Sequence, residues 1–309
     1  MSILDLIDRH LEQNPSPPDT NSPQHIPSEF TFKSSKCGWI ENVLDILRTD
    51  SKCGITIKCS HHGMALFTTA KTKQVYAEAY LLVDVWDDMK CTGSYEGSFL
   101  LCNLSKRLNK TYKQMATSLC FEGGLHGSLV CTIEDYKRST LGFTEFISDE
   151  KLQQPIQSVA NYTPLFRINT QDLLIALESM PSMFTLSLNV TEGLLMFEGK
   201  EKYATTSSSI SIDRKSMAAL RQCVKLYTYS ELCCKKSFQQ VLRACRLYNY
   251  MYLGVSPGAP MMFKFLLNEA IEPTQNQPNS NCCIFISPHV TNLDSLVATQ
   301  DHTKRKKLY

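Results

Sequence analysis

The stretch Ser230–Glu269, SELCCKKSFQQVLRACRLYNYMYLGVSPGAPMMFKFLLNE, reads as an amphipathic basic helix running into two sheet strands. Ser230 suits the N-cap and Glu231 the first turn, where a carboxylate complements the helix dipole. Wound at about 100° per residue, Cys234, Phe238, Val241, Leu242 and Cys245 fall inside a stripe of roughly 100°. Lys236, Gln239, Arg243 and Arg246 lie on the other side. Tyr248 to Ser256 and Pro260 to Leu267 are rich in aromatic and branched residues and read as strands, parted by a turn at Pro257 and Gly258.

The same unit recurs along the chain. Phe30 to Lys33 reads as a strand, Lys36 to Thr49 as a helix with Trp39, Ile40, Val43, Leu44 and Leu47 on one face, and Gly54 to Cys59, Met64 to Thr69 and Val75 to Trp86 as strands. Ser98 to Leu104 is then a strand and Ser105 to Met115 a helix, followed by strands at Ser118 to Glu122, Ser128 to Glu134 and Thr140 to Ile147. A third copy runs through strand Leu165 to Ile168, helix Gln171 to Met180, and strands Met183 to Val190, Leu194 to Glu198 and Tyr203 to Ile212. Strand Val224 to Tyr229, the opening helix, its two strands and a last strand at 282–287 make the fourth. Element order β-α-β-β-β, repeated four times, marks an internal duplication.

The remaining segments punctuate this pattern. Residues 1–28 combine a short apolar stripe (Ile3, Leu4, Ile7, Leu11) with the Pro- and Ser-rich run Asn14–Pro27, either a mobile extension or a partner-binding peptide. Residues 148–163, SDEKLQQPIQSVANYT, are polar and read as a connector between a first domain, 29–147, and a second, 164–290. The tail 291–309 ends in a basic cluster, Lys304, Arg305, Lys306 and Lys307, which is either a nuclear-import address or a solvated run.

Composition narrows the function classes. With 309 residues, 43% apolar, 20% charged and a net charge of +2, the chain has ordinary globular composition, so an anionic partner must be argued from where the charges sit. No apolar run approaches the roughly 18 residues of a membrane span, and the N-terminus lacks a signal-peptide pattern, so the chain reads as intracellular. The 13 cysteines are odd in number and contain no CxxC, which favours reduced, buried thiols over a disulfide framework or a zinc site. His61 and His62 near Cys59 would point to opposite faces if they stood on a strand, so neither a metal nor a cofactor is expected.

Four β-α-β-β-β copies in two halves resemble the sliding-clamp family, whose best-known member is the proliferating-cell nuclear antigen. The resemblance covers about residues 29–290 and is carried best by SFLLCNLSKRLNKTYKQ (98–114), GAPMMFKFLL (258–267) and CCIFISPH (282–289). Within the family, residues 52–86 and CFEGGLHGSLVCTIED (120–135) look most like the Rad-one branch of the heterotrimeric DNA-damage checkpoint clamp. The resemblance implies an α+β DNA-clamp fold with two similar domains, antiparallel sheets outside and helices inside, and three chains closing a ring around duplex DNA. It implies a non-catalytic nuclear subunit whose partners are two other clamp subunits, double-stranded DNA, a clamp loader, and repair and checkpoint proteins. Ring closure in the family pairs edge strands, which would fall near Ser128 to Glu134 (Ser128, Val130, Thr132) and Ala204 to Ile212 (Thr206, Ser208, Ile210). A partner-peptide pocket would involve Ile156 and Val159 of the connector with Ile286, Ser287 and Pro288.

Such a ring holds DNA by charge. Duplex DNA carries a charge about every 1.7 Å, and Lys or Arg facing it gains affinity by counterion release without reading bases. On the 105–115 helix, Leu104, Leu108, Tyr112 and Met115 occupy a sector of about 80°, with Lys106, Arg107, Lys110 and Lys113 opposite. Lys236, Arg243 and Arg246 repeat the arrangement in the fourth copy, as a DNA-facing surface or a solvated one. The first and third helices instead offer Glu41, Asn42, Asp45 and Arg48, and Gln171, Asp172, Ile175 and Glu178, so basic partners are expected to complete the lining. A homotrimeric processivity clamp is the rival reading. A metal-dependent nuclease using Asp87-Asp88 and Asp149-Glu150 is a weaker one, because two-metal hydrolysis needs several converging carboxylates and these pairs sit in polar turns.

Overall fold

A computed structural model describes residues 30–35, 37–48, 54–70, 74–100, 116–123, 129–135, 140–145, 162, 165–213, 216–218, 221–223, 226, 229–267 and 280–287. The N-terminal extension, the 105–115 helix with its four basic residues, Ser128, Ile156, Val159, Pro288 and the tail lie outside these residues.

The first copy comprises β1 (Phe30–Ser34), α1 (Cys37–Leu47), β2 (Gly54–Ser60), β3 (Gly63–Thr69) and β4 (Val75–Leu82), followed by β5 (Asp88–Cys91). The second supplies β6 (Tyr95–Leu100), β7 (Ala116–Gly123), β8 (Leu129–Asp135) and β9 (Thr140–Glu145). The third is β10 (Phe166–Asn169), α2 (Thr170–Ser179), β11 (Met183–Asn189), β12 (Leu194–Lys200) and β13 (Thr205–Ser211). The fourth is β14 (Ser230–Cys234), α3 (Gln239–Cys245), β15 (Tyr250–Gly254), β16 (Met261–Leu266) and β17 (Asn281–Ile286).

Among the described residues all strand pairs are antiparallel and form three sheets, ordered β5-β1-β7-β8-β9, β10-β15-β16-β17-β4-β3-β2-β6 and β13-β12-β11-β14. The eight-stranded sheet joins the two halves through β17 and β4, with Ile284 opposite Ala77 and Ile286 opposite Val75. Beside this seam, the Ser280 hydroxyl donates to Asp84 Oδ1 (2.6 Å) and accepts from the Leu82 N–H (2.9 Å), tying the two chain segments together again.

Helical spacing puts Ile40, Val43, Leu44 and Leu47 of α1, Leu173, Ala176 and Leu177 of α2, and Val241, Leu242 and Cys245 of α3 in one continuous core against the inner sheet faces. Phe238, fully buried just before α3, packs against Phe184 of β11 and Phe263 of β16, with ring centroids 5.4 and 5.5 Å away. The Pro257-Gly258 turn is present, with Gly258 at φ +74, a conformation that disfavours a side chain.

Three expectations are corrected. Ser230 to Cys234 form a strand, not the first turn of the basic helix, because they pair with β11 (Met183 opposite Cys234, Ser187 opposite Ser230); tertiary pairing overrides the local helical pattern. Of the strand expected at Val224 to Tyr229, Leu226 and Tyr229 are described, and these two are not in a strand: the Tyr229 N–H meets the Leu226 carbonyl in a turn. The strand from Val75 ends at Leu82, where a single 3-10 turn redirects the chain into the unexpected β5 and returns Trp86 to the core with its indole N–H on the Leu81 carbonyl (3.2 Å).

Candidate nucleic-acid interface and subunit edge

The α3 segment supplies cations to the ends of both neighbouring described helices. Neither α1 nor α2 has a basic residue in its own last turn, where main-chain carbonyls are left without intrahelical partners. Lys235 Nζ donates to the Glu178 and Met180 carbonyls at the end of α2, both at 2.7 Å. Arg243 Nη1 donates to the Asp45 and Arg48 carbonyls at the end of α1, at 3.1 and 2.6 Å. Burial lowers the proton affinity of the half-buried Arg243, an effect opposed by Asp45 and reinforced by Arg48.

Of the cations assigned to DNA from sequence, Arg243 is therefore turned into the seam between α1 and α3, a correction with a clear cause: the end of α1 offers it two carbonyls. Arg246 is exposed and pairs with Glu178 Oε1 at 3.0 Å. Lys236 is exposed. On the same layer Asp172, Ile175 and Glu178 are exposed, and Asp45 pairs with Arg48 at 2.7 Å, so the described helix surface is not uniformly basic. Lys235 went unnoticed in the sequence; its only signal was its place next to Lys236 at a strand-to-helix junction.

The sheet edges also depart from expectation. β8, containing Val130 and Thr132, is flanked by β7 and β9 and is not an edge strand; among the described residues β5 and β9 are the end strands of that sheet. β13, with Thr206, Ser208 and Ile210, is paired with β12 alone among the described residues. Its register runs without a bulge from Lys200–Thr205 to Leu194–Ser211. At its ends the Ile212 N–H meets the Gly193 carbonyl and the Glu201 N–H meets the Ala204 carbonyl, both at 2.8 Å. Even-numbered residues therefore bond to β12, and Thr205, Ser207, Ser209 and Ser211 aim their main-chain groups at the open edge.

On the outer face of the seam, Glu78 is buried, accepts a hydrogen bond from the Tyr76 hydroxyl (3.0 Å) and lies in register with Cys283 of β17 and Lys264 of β16. Burial pushes its carboxyl up to about 7, against the opposing hydrogen bonds from Tyr76 and Tyr80 and the charge of Lys264. Ile286 faces the other way, into the main core at 1% exposure, and strand alternation puts Phe285 on the outer face. Phe285 lies near Tyr76 and Tyr162, and the Tyr162 hydroxyl donates to the Pro260 carbonyl at 2.7 Å. Tyr162 sits so close to Gly254 that a Cβ there would meet it at 2.8 Å. The Ser287 N–H bonds to the Gln74 carbonyl.

The acidic and thiol candidates look ordinary. Asp87 accepts from the Ser35 N–H, and Asp88 lies 3.9 Å from Lys90. The described cysteines are free thiols, and burial pushes Cys233, Cys245 and Cys283 up to about 12. His61 and His62 occupy the β2–β3 turn rather than a strand, with ring centroids 3.8 Å apart.

No protein-family model and no curated protein matches the sequence. Among solved structures, the chain is similar to proliferating cellular nuclear antigen from Entamoeba histolytica, at 12% identity and a TM-score of 0.65, over 84% of this chain and 99% of that one. The chain has the DNA-clamp fold. In that fold the three helices described above pack into one core with the sheets, and among the described residues β9 and β13 are end strands of two of the sheets.

Proposed function

We propose that the chain is one subunit of a ring-shaped clamp that encircles duplex DNA without reading its sequence and serves as a nuclear platform for checkpoint and repair proteins. The observation that carries this reading is the clamp fold combined with a regular, unblunted open edge at β13. Edge strands are normally protected by charge, proline or a bulge, and Thr205–Ser211 has none of these.

The engaged cations favour a ring of unlike chains. Arg243 and Lys235 are held by carbonyls and Arg246 by Glu178, so three identical copies would present Asp172 and Glu178 beside the phosphates with little positive charge from the described helices. Lys236, with Lys106, Arg107, Lys110 and Lys113 of the first half, would supply this subunit's share of the lining, and two more basic clamp chains the rest. A homotrimeric processivity clamp is the competing reading.

The test is topological. The chain assembled with its clamp partners should stay on circular duplex DNA at high salt and leave when the circle is cut, because a closed ring slides off ends. Changing Lys106, Arg107, Lys110 and Lys113 to Glu should weaken binding equally on unrelated duplexes and reduce the salt slope by about 0.9 for each phosphate that is no longer neutralised. Retention that ignores DNA topology, or metal-dependent cleavage of the DNA, would overturn the proposal. A closed trimer of the isolated chain would move it to the homotrimeric reading.

A further inference from the structure

The eight-stranded sheet is continuous because β17 of the second half pairs with β4 of the first. Main-chain bonds alternate along β4. The Ser287 N–H reaches the Gln74 carbonyl and the Leu82 N–H reaches Ser280, whereas the Ala70 N–H reaches the Val75 carbonyl on the other side. Tyr76, Glu78 and Tyr80 therefore bond across the seam, opposite Phe285, Cys283 and Asn281, while Ala77 and Ala79 bond to β3. The two ends of the seam are unlike. At the Asn281 end the Ser280 hydroxyl clasps Asp84 and the Leu82 N–H together. At the Ile286 end the Ser287 N–H meets the Gln74 carbonyl, with no such side-chain clasp among the described residues.

A carboxyl stands in the middle of this seam. Glu78 is 7% exposed and accepts from the Tyr76 hydroxyl at 3.0 Å, with Tyr80 on the same face of β4. In register with it lie Phe67 of β3, which carries no charge, and Cys283 of β17, beyond which stands Lys264 of β16. Lys58 of β2, over the Phe67 ring at 5.8 Å from its centroid, is taken by Glu96 of β6 at 3.7 Å. Lys264 is thus the cation left to face Glu78 among the described residues, and its backbone is two strands, about 10 Å, away. Burial pushes the Glu78 carboxyl up to about 7 against the help of Tyr76, Tyr80 and Lys264.

We infer that the β17–β4 seam is a proton-gated joint: it stays zipped while Glu78 is protonated, and when Glu78 is ionised it opens from the Ile286–Val75 end about the Ser280–Asp84 clasp. Opening brings water to a carboxylate that the closed sheet cannot solvate. The buried inner residues Ile284, Ile286, Ala77 and Val75 keep the open form a minor one. The joint lies within one chain, so it operates whether or not a ring forms.

Amide hydrogen exchange of the full chain from pH 5 to pH 8, expressed as protection factors, tests this. Protection at Tyr76, Glu78, Cys283 and Phe285, whose N–H groups cross the seam, should fall by roughly 50- to 100-fold over that range, because the open form titrates near 4.5 and the closed form near 7. Ala77, Ala79, Cys282 and Ile284, bonded to β3 and β16, should fall far less. Glu78→Gln should abolish the pH dependence. Lys264→Met, which removes the facing cation, should enlarge it and leave protection at pH 5 unchanged. Protection at the four seam amides that ignores pH overturns the inference, and so does a fall shared equally by Ala77 and Ile284, which marks global unfolding instead. A folded Glu78→Gln chain that keeps the wild-type dependence, or a Lys264→Met chain whose dependence fails to grow, also overturns it.

Discussion

The helix layer and the β13 edge are opposites in how they use their polar groups. In the helix layer, Lys235 and Arg243 reach across to carbonyls at the ends of neighbouring helices and Arg246 reaches a carboxylate. Along β13 a run of hydroxyls engages nothing within the described residues. Polar groups that already have partners hold this molecule together; the exposed, regular edge is where the proposed ring would pair with another chain. The contrast fails if the cations prove dispensable for stability or if the edge proves necessary for it.

The largest expected effect is at the anchor of the helix layer. Phe238 is fully buried between Phe184 and Phe263, so Phe238→Ala should destabilise the fold by about 3–5 kcal/mol in urea unfolding through lost transfer energy and a cavity. A loss below about 1 kcal/mol would mean that α3 is not fixed where it is seen.

A pH-dependent effect comes next. Glu78 has a folded-state carboxyl near 7, above its ordinary 4.5, so the folded chain holds a proton that the unfolded chain has released between those values. Stability therefore falls as pH rises from about 4.5 through 7, and above 7 the buried charge carries its full cost. Glu78→Gln keeps a hydrogen-bond acceptor for Tyr76 and removes the charge. It should raise stability at pH 8 by on the order of 3 kcal/mol and leave it nearly unchanged at pH 5. Equal effects at the two pH values would show that the carboxyl is not the titrating group.

Arg243 tests the contrast itself. Arg243→Met keeps the stem and leaves two carbonyls at the end of α1 without their cation, for a loss of about 2 kcal/mol. A cation that merely faced solvent or DNA would give almost none, so unchanged stability would restore the reading drawn from sequence.

Much of this architecture was legible in the residues. Periods of two and of about three to four placed most strands and the described helices close to where they lie, because each buries one face and no more. What stayed hidden depends on neighbours. Whether β8 or β9 is the edge is a matter of sheet order, to which both strands' patterns are blind. Ser230 to Cys234 could begin a helix on local grounds and is a strand because β11 has a free side. The basic face of α3 showed which residues are charged, but that the end of α1 lies within reach of Arg243 follows only from packing. The sequence likewise put Ile286 in a pocket by position along the chain, and strand alternation sends it into the core.

The smallest effect sharpens the contrast most. Arg246 and Glu178 are 61% and 51% exposed at their side chains, so their ion pair is screened by water and adds little to folding. Glu178→Gln should change stability by less than about 0.5 kcal/mol. It should also release Arg246 on the layer that the ring would turn towards DNA, and remove a carboxylate from that surface. In the assembled ring the variant should therefore hold duplex DNA more tightly and lose that advantage as salt rises, with a slope steeper by about 0.9 if Arg246 gains one phosphate. Arg246→Gln should shift DNA retention the other way, with equally little effect on folding. If both variants leave retention untouched at low salt, Arg246 does not face DNA, and the helix layer of this subunit must be read as a structural one that leaves charge to its partners.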